Sequence, residues 1–230
     1  MTDPATLSDV GRREQAKADR RLKIVRAARD LIRETGDTNL SMRMIAQRAE
    51  VSIATPYNLF GSKRAVVMAV LEDERDFLHR FNSLKVDNAI DRLFEAHALG
   101  TGYFIQDPDF YRPLWKALLD TNGEDNTGLA TPERQEQTRA AWRWLLSCAQ
   151  EEGLLHTGVP VEMLERTLSH LGNGIMLSWA MGTLPTRELL PSASLGYALI
   201  LSASATPAGK PLLERQISKH REALARSDGV

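Results

Sequence analysis

Apolar side chains recur every three or four residues along most of the chain, which is the period of an amphipathic α-helix. In the first such stretch Ile24, Ala28 and Leu31 fall on one helical face, and charged residues occupy the other. Gly36 is a suitable C-cap for this helix. Side chains that can cap the N-termini of the next three helices follow at Ser41, Ser52 and Ser62. The pattern predicts helices over about 42–49, 53–59 and 62–81.

The rest of the chain has the same period. It predicts further helices near 90–104, 108–118, 132–152, 161–182, 187–204 and 211–226, with a loop at 123–131. No stretch of useful length alternates apolar and polar residues as a strand does. The fold class is therefore all-α with about nine to ten helices: an N-terminal helix-turn-helix domain followed by a larger helical domain.

The composition is ordinary for a globular protein, with 43% hydrophobic and 26% charged residues. Cys148 is the single cysteine, so the chain can form no internal disulfide and has no cysteine pair for structural zinc. The first 17 residues lack the apolar run of a secretory signal. These features predict a cytoplasmic protein without metal or cofactor.

The charge is unevenly distributed, although the net charge is only −1. Residues 1–64 hold 13 Lys/Arg against 8 Asp/Glu, and the remainder holds 16 against 22. A basic head on an acidic body predicts that the head meets a polyanion, and chance asymmetry is the alternative. We divide the chain into a flexible basic arm (1–16), a basic head (17–64) and an acidic helical body (65–230).

The segment from Ser41 to Lys63 has the features of a helix-turn-helix, with a short helix, a three-residue turn and a second short helix. Ile45, Ala46 and Ala49 would face inward on the first helix. The second helix of such a motif enters the major groove of DNA, where small side chains at its N-terminal half reach base edges. Apolar groups there can touch thymine methyl groups, and a threonine can also donate a hydrogen bond.

Residues 24–63 resemble the DNA-binding head of the TetR family. The family pattern stands in this chain as Gly36, SMRMIA from Ser41, AEVS from Ala49 and YNLFGSK from Tyr57. The resemblance implies a repressor that binds a palindromic operator in double-stranded DNA as a homodimer and responds to a small-molecule effector. Residues implied to contact phosphates or bases are Ser41, Arg43, Ser52, Ile53, Ala54, Thr55, Tyr57, Asn58 and Lys63.

Two residues depart from the family pattern. Glu50 stands where the turn usually has glycine, so it must tolerate the backbone angle that the turn demands. Pro56 lies inside the recognition helix at about its fourth residue if Ser52 is the N-cap. It lacks the N–H that would bond back to Ser52, so we expect either a kink or a re-aimed reading head.

Two long segments, 167–186 and 189–209, contain no Asp, Glu, Lys or Arg. Their length could span a membrane, but their prolines, glycines, serines and His170 argue for burial against protein instead. We predict a four-helix interface across a two-fold axis, since both segments carry near-heptad or small-residue stripes. The predicted interface residues are Leu164, Leu168, Leu171, Ile175, Ala193, Gly196 and Ile200.

A mostly apolar cavity with a few polar anchors is the usual site for a small ligand. Residues on the other faces of these helices, together with nearby aromatic residues suggested by the resemblance, are candidates for such a cavity. They are His97, Tyr103, Trp115, Trp142, His170, Asn173 and Met176. Each could equally be an ordinary core residue. Their apolar character favours a hydrophobic effector.

Two other classes of function compete with this one. An all-helical enzyme would need a catalytic constellation, but the five histidines are scattered and no HExxH, GxSxG, phosphate-binding or dinucleotide-binding motif occurs. A constitutive DNA-binding regulator without an effector is compatible with every sequence feature of the head. Stabilisation of the protein by small molecules would distinguish it from a sensor.

Overall fold

The computed structural model describes residues 4–36, 38, 40–73, 77–119 and 132–227. Within these ranges the side chains of 4–11, 71–73, 77–79, 117–119 and 132–135 are not described. The predicted loop at 123–131 lies outside the described residues. The described chain forms eleven helices and no extended strand, which confirms the all-α class. It divides into two compact units, Met1–Arg75 and Asp76–Val230.

The first unit contains four helices. They are α1 (Pro4–Thr35), α2 (Met42–Arg48), α3 (Ala54–Phe60) and α4 (Lys63–Asp73). Its core forms where the apolar stripe of α1 meets α2 and α4: Ile24, Ile32, Ile45, Val66 and Val70 are all fully buried. Because α4 supplies part of this core, the unit extends past the boundary predicted at residue 64.

Two details at the ends of α1 concern the sequence predictions. Gly36 ends the helix with φ +62°, and its N–H donates to the carbonyl of Ile32 at 2.8 Å, so the predicted C-cap is confirmed. At the other end lie residues 4–16, for which the sequence predicts a flexible arm. These residues continue α1 as helix, because charged and small side chains such as Arg12, Ala16 and Lys17 favour helix about as well as the apolar stretch does.

The second unit contains seven helices. They are α5 (Phe77–Asn82), α6 (Ala89–Gln106), α7 (Pro108–Leu119), α8 (Pro132–Glu151), α9 (Val161–Ala180), α10 (Thr186–Ser202) and α11 (Lys210–Ser227). The helix predicted over 62–81 corresponds to α4 and α5, with residues 74–76 outside the described part. The core is built by α6, α8, α9, α10 and α11 around Leu93, Leu146, Leu201 and Leu213.

Helix α11 is joined to this core by hydrogen bonds as well as by side-chain packing. Arg215 and Gln216 both donate to the carboxylate of Asp91 at the start of α6, Arg215 at 2.7 Å. His220 is buried and stacks on the ring of Phe94. Burial, and to a smaller extent the charge of Lys219, lowers the pKa of His220 to about 4.

Candidate nucleic-acid interface and ligand site

The first helix of the motif, α2, is held in the head by its inner face and capped by a serine. Ile45, Ala46 and Ala49 are buried, as the sequence predicts. The Ser41 hydroxyl accepts a hydrogen bond from the N–H of Met44 at 3.1 Å, which satisfies one of the free donors of the first turn. Ser41 therefore lies at the exposed N-terminus of α2, where a phosphate could also be bound.

The turn between α2 and α3 requires an unusual backbone angle. Glu50 has φ +54°, the left-handed region that glycine favours, and it is the single non-glycine residue with positive φ in the described chain. The N–H of Val51 then donates to the carbonyl of Ala46 at 3.0 Å and closes the turn. The prediction that residue 50 must tolerate the glycine angle is confirmed.

The recognition helix α3 presents a row of accessible side chains. Ile53 and Tyr57 are 54% and 52% exposed, although both are large and apolar enough to belong in a core. All nine residues predicted to contact DNA are exposed except Thr55, which is half-buried. The exposure of Tyr57 argues against the purely structural role that its aromatic ring would otherwise suggest.

The start of α3 differs from the prediction. Ser52 is not its N-cap: Ile53 occupies that position without a side-chain hydrogen bond. The Ser52 hydroxyl lies 2.9 Å from that of Thr55 and bonds to it rather than to a backbone N–H. Pro56 is consequently the third helical residue, where an N–H has no partner within the helix, so the proline removes no helical hydrogen bond. Its buried ring packs into the head.

Lys63, a residue predicted to contact phosphate, lies where α4 begins. The Ser62 hydroxyl accepts from the N–H of Ala65 at 3.2 Å, as expected of a cap, and Lys63 is the exposed first residue of the helix. The partial positive charge of a helix N-terminus adds to that of the lysine. This geometry suits a phosphate oxygen better than a base edge.

Two arginine side chains form hydrogen bonds between helices of the head. Arg48 binds the carboxylate of Glu34 through both terminal nitrogens, at 2.5 and 2.8 Å, and joins α2 to α1. This bidentate bond lowers the pKa of Glu34. Arg21 donates to the carbonyl of Leu59 at 2.5 Å and lies 4.2 Å above the ring of Phe60, joining α1 to the end of α3.

In the second unit, His97 is at the centre of an aromatic group. Its ring lies 4.8 Å from that of Tyr197 and 6.1 Å from that of Trp142, and these two rings lie 5.7 Å from each other. The imidazole Nδ1 is 3.5 Å from the Thr101 hydroxyl. The Nε2 atom is buried and makes no hydrogen bond to any described residue.

Burial determines the protonation states in this group. Loss of hydration, together with repulsion from His220, lowers the pKa of His97 to about 4. Burial raises the pKa of Tyr197 to about 12. The group is therefore uncharged at neutral pH, and His97 offers one unsatisfied ring nitrogen to a ligand.

A second aromatic group surrounds Phe104. Its ring lies 5.2 Å from Tyr111 and 6.0 Å from both Trp115 and Trp179. The indole N–H of Trp179 donates to Thr186 at 3.0 Å, whereas Nε1 of Trp115 is buried without a partner among the described residues. The hydroxyl of Tyr103 is likewise buried and has no hydrogen-bond partner among the described residues.

The structure separates the residues predicted for the ligand site. It brings His97 and Trp142 together, and it places Trp115 with Phe104. His170 and Asn173 instead lie exposed on α9, with Met176 half-buried, so the described part of the chain does not enclose His170 or Asn173. Both are therefore more exposed than the predicted interface residues Leu164 and Leu168 on the same helix.

Most of the predicted dimer residues are packed within the subunit. Leu164, Leu168 and Ala193 are 3–4% exposed and belong to the core of the second unit. Leu171, Gly196 and Ile200 pack within the same chain, and a Cβ on Gly196 would lie 2.4 Å from the Leu171 side chain. Ile175 is half-buried. The stripe of small residues lets α9 and α10 of one subunit approach each other.

Tyr197 and Thr101 were not among the predicted ligand residues. Tyr197 is the single aromatic residue of α10 and stands one residue after Gly196, within the small-residue stripe. Its hydroxyl reaches α9, where a Cβ on Gly172 would lie 2.3 Å away. The sequence signal for Tyr197 is an aromatic residue on one helix opposite a glycine on its neighbour. This signal can be used only when the pairing of α9 with α10 is already known.

These features define an all-helical protein with a helix-turn-helix head and a larger body. Residues 24–70 match the family described as bacterial regulatory proteins, tetR family. No curated protein sequence matches the chain.

Several solved structures share the fold. Native TylP, a TetR regulator from Streptomyces fradiae, superposes with a TM-score of 0.64 and 21% identity over 90% of this chain and 98% of its own. Thermus thermophilus FadR, a transcriptional repressor in complex with lauroyl-CoA, gives 0.60 and 24% over 82% and 98%. SmeT, the repressor of the multidrug efflux pump SmeDEF of Stenotrophomonas maltophilia, gives 0.61 and 19% over 82% and 92%.

The family match is confined to the head, whereas the likeness to the solved structures extends over most of the chain. The chain therefore has the fold of these TetR regulators, and its residues 24–70 are similar to the bacterial regulatory proteins of the tetR family. None of the helices in the described part of the chain is long and apolar enough to cross a membrane.

Proposed function

We propose that the protein is a repressor that binds a palindromic operator as a homodimer and is released by a small, uncharged, largely hydrophobic effector. The observation that carries the DNA-binding part is the exposure of Ile53 and Tyr57 on the recognition helix. Large apolar side chains are exposed at a cost unless they meet a partner, and major-groove base edges are the partner that this motif offers.

The backbone contacts of the proposed complex surround that helix. Ser41 and Lys63 stand at the N-termini of α2 and α4, where the helix dipole favours phosphate. Arg43 and Asn58 are exposed on α2 and α3. Phosphate contacts would set the register of α3, and Ile53, Ala54 and Thr55 would then read the bases.

Dimerisation is assigned to the outward stripes of α9 and α10. On α9, Met163, Leu177 and Met181 are 44–64% exposed, at the spacing of one helical face. On α10, Leu199 is 55% exposed. His170 and Asn173 lie on the same stripe of α9 and become interface residues in this proposal. Two helices per subunit then form a four-helix contact across a two-fold axis.

The effector site is assigned to the group around His97, with Trp142, Tyr197 and Thr101. An unsatisfied buried nitrogen costs free energy that a ligand hydrogen bond would recover. The surrounding rings carry no charge at neutral pH, which favours a neutral ligand over an ion. Among the similar structures, the Thermus thermophilus repressor FadR is described in complex with lauroyl-CoA.

Fluorescence anisotropy tests the DNA-binding part. The operator is first selected from random duplexes with the purified protein, and binding is then compared with scrambled DNA across a range of salt. We expect a dissociation constant of roughly 10⁻⁸ M or tighter, lost in Lys63→Ala and weakened in Tyr57→Phe. Selection of no sequence would overturn the proposal.

Thermal denaturation tests the effector part. A panel of neutral hydrophobic compounds should include some that raise the melting temperature of the protein and release it from the operator. His97→Leu should weaken both effects, since it removes the nitrogen. Stabilisation without release, or no stabilisation by any compound, would favour the constitutive regulator instead.

A further inference from the structure

The first helix extends far beyond the part that builds the head. α1 covers 32 residues, but among its described side chains, which begin at Arg12, the buried positions begin at Ile24. Residues 12–21 are exposed apart from Ala16, which is half-buried. The match to the tetR family also begins at residue 24, so this extension lies outside the matched segment.

The extension is strongly basic. Residues 12–23 contain six Lys/Arg and two Asp/Glu. Exposed charges contribute little to stability, so the stability of the fold does not explain why an exposed helix carries so many cations. It is suited to bind a polyanion.

Three of these six cations form a stripe on the side of α1 that packs against the rest of the head further along the helix. Arg13, Lys17 and Arg20 follow one another at four and three residues, and the same stripe continues through Ile24 and Ala28. The two latter residues are fully buried against the helix-turn-helix. The stripe is therefore apolar where it packs on the head and basic where it passes beyond it.

The base of the extension is fixed next to the candidate DNA contacts. Arg21 donates to the carbonyl of Leu59 and covers the ring of Phe60, at the C-terminal end of the recognition helix. This point lies in the chain between Tyr57 and Lys63, both exposed candidates for phosphate contact. The extension thus starts at the edge of the proposed DNA interface and continues it.

Its reach matches a short length of duplex. With a rise of 1.5 Å per residue, the seven steps from Arg13 to Arg20 span about 10 Å. That is roughly three base pairs at 3.4 Å each. Asp19 accepts from Gln15 at 2.9 Å on the opposite side of the helix, so this carboxylate does not interrupt the basic stripe.

We propose that the N-terminal extension of α1 is a second DNA-binding element, which binds the phosphate backbone of the duplex flanking each operator half-site. The occupant is double-stranded DNA because the stripe continues a DNA interface and carries the complementary charge. The proposal rests on the operator binding proposed above. It predicts that contacts of the extension are independent of sequence and strongly dependent on salt.

The experiment uses the full chain and two duplexes: the selected operator alone, and the operator lengthened by about six random base pairs on each side. The variant Arg13→Gln/Lys17→Gln/Arg20→Gln removes the basic stripe. The matched control Lys219→Gln/Arg221→Gln/Arg226→Gln removes three exposed cations from α11. Circular dichroism checks that both variants retain the helical content of the wild type.

The wild type and the control should bind the lengthened duplex about tenfold more tightly than the short one. The stripe variant should lose this preference, and its slope of log affinity against log salt should fall by about 3 to 5, for up to six phosphates per dimer. A wild type that binds the operator specifically but ignores the flanks would overturn the extension proposal and leave operator binding intact. If the wild type binds the operator no more tightly than scrambled DNA, and Lys63→Ala binds both DNAs equally well, the extension proposal and the operator-binding proposal are both overturned.

Discussion

The rings of His97 and Tyr197 lie 4.8 Å apart and join α6 to α10 inside the second unit. The Tyr197 hydroxyl in turn lies against Gly172 of α9, so three helices meet at one aromatic contact. This contact is the part of the proposed effector site whose geometry can be tested most directly.

Gly172→Ala should disturb that contact. The new Cβ would lie 2.3 Å from the Tyr197 hydroxyl, and the buried ring must shift to avoid it. We expect the free energy of unfolding to fall by about 1–3 kcal/mol, as for other overpacked cores. Chemical denaturation measures this change, and effector binding should weaken in parallel.

Gly102→Ala in α6 is the matched control. No atom lies within 4 Å of its added Cβ, so the higher helix propensity of alanine should raise the free energy of unfolding by up to about 1 kcal/mol. Equal effects of the two substitutions would contradict the close packing of Tyr197 on Gly172.

His97 should make the protein sensitive to mild acid. Its pKa is about 4 in the folded protein against an ordinary value of 6.5, so the unfolded chain binds the proton more readily. The stability that neutral His97 contributes is fully present above pH 6.5 and is lost as the pH falls towards 4. At pH 5 the loss is about 2 kcal/mol.

Denaturant unfolding at pH 7.5 and pH 5 measures this dependence. His97→Gln should reduce the difference between the two pH values, while the share of His220, whose pKa is also lowered to about 4, remains. His156 is exposed, so His156→Gln is the control and should leave the difference unchanged. An unaltered pH dependence in His97→Gln would contradict the burial of its neutral form.

Leu199→Glu should dissociate the proposed dimer. The leucine is 55% exposed in the subunit, and burial of such a side chain contributes roughly 1.5–3 kcal/mol. Two-fold symmetry doubles the loss, so the dissociation constant should rise at least a hundredfold or so. Light scattering coupled to size-exclusion chromatography measures the mass, and Arg139→Glu on the exposed face of α8 should remain dimeric. A Leu199→Glu protein of unchanged mass would place the interface elsewhere.

Glu50→Gly should stabilise the head. Glu50 has φ +54°, which costs a residue with a Cβ about 1 kcal/mol or more that glycine does not lose. The gain is reduced by the greater entropy of glycine in the unfolded chain, so we expect an increase of about 0.5 kcal/mol in the free energy of unfolding. Glu50→Ala keeps the Cβ and should bring no such increase; an equal gain in both variants would contradict the strain.

The head could be predicted from the sequence nearly completely because its signals are local. A cap such as Ser41, a C-cap such as Gly36 and the turn residue Glu50 each act within four residues of the backbone they satisfy. The start of α3 was the exception. The Ser52 hydroxyl could bond either to a backbone N–H or to the Thr55 hydroxyl, and the local sequence does not distinguish these two hydrogen bonds.

The helical content of the body was equally predictable, but the role of each helix face was not. On α9 an inner stripe with Leu164 and Leu168 and an outer stripe with Met163 and Leu177 are both apolar and both have helical period. An apolar helix face indicates burial from water, but the sequence does not indicate whether the face is buried within its own subunit or against a second subunit. Only the packing of α9 against α10 through Gly196 decides that the first stripe is internal.

The order and class of the helices, the reading motif and the basic character of the N-terminus follow from residues close together in the chain, whose propensities and caps act over one or two turns. The meeting of His97, Trp142 and Tyr197, the pairing of Arg21 with Leu59 and the two sides of α9 depend on residues 25 to 100 positions apart. Such contacts form when several helices pack around one shared core, and the relative positions of those helices are determined by the whole fold.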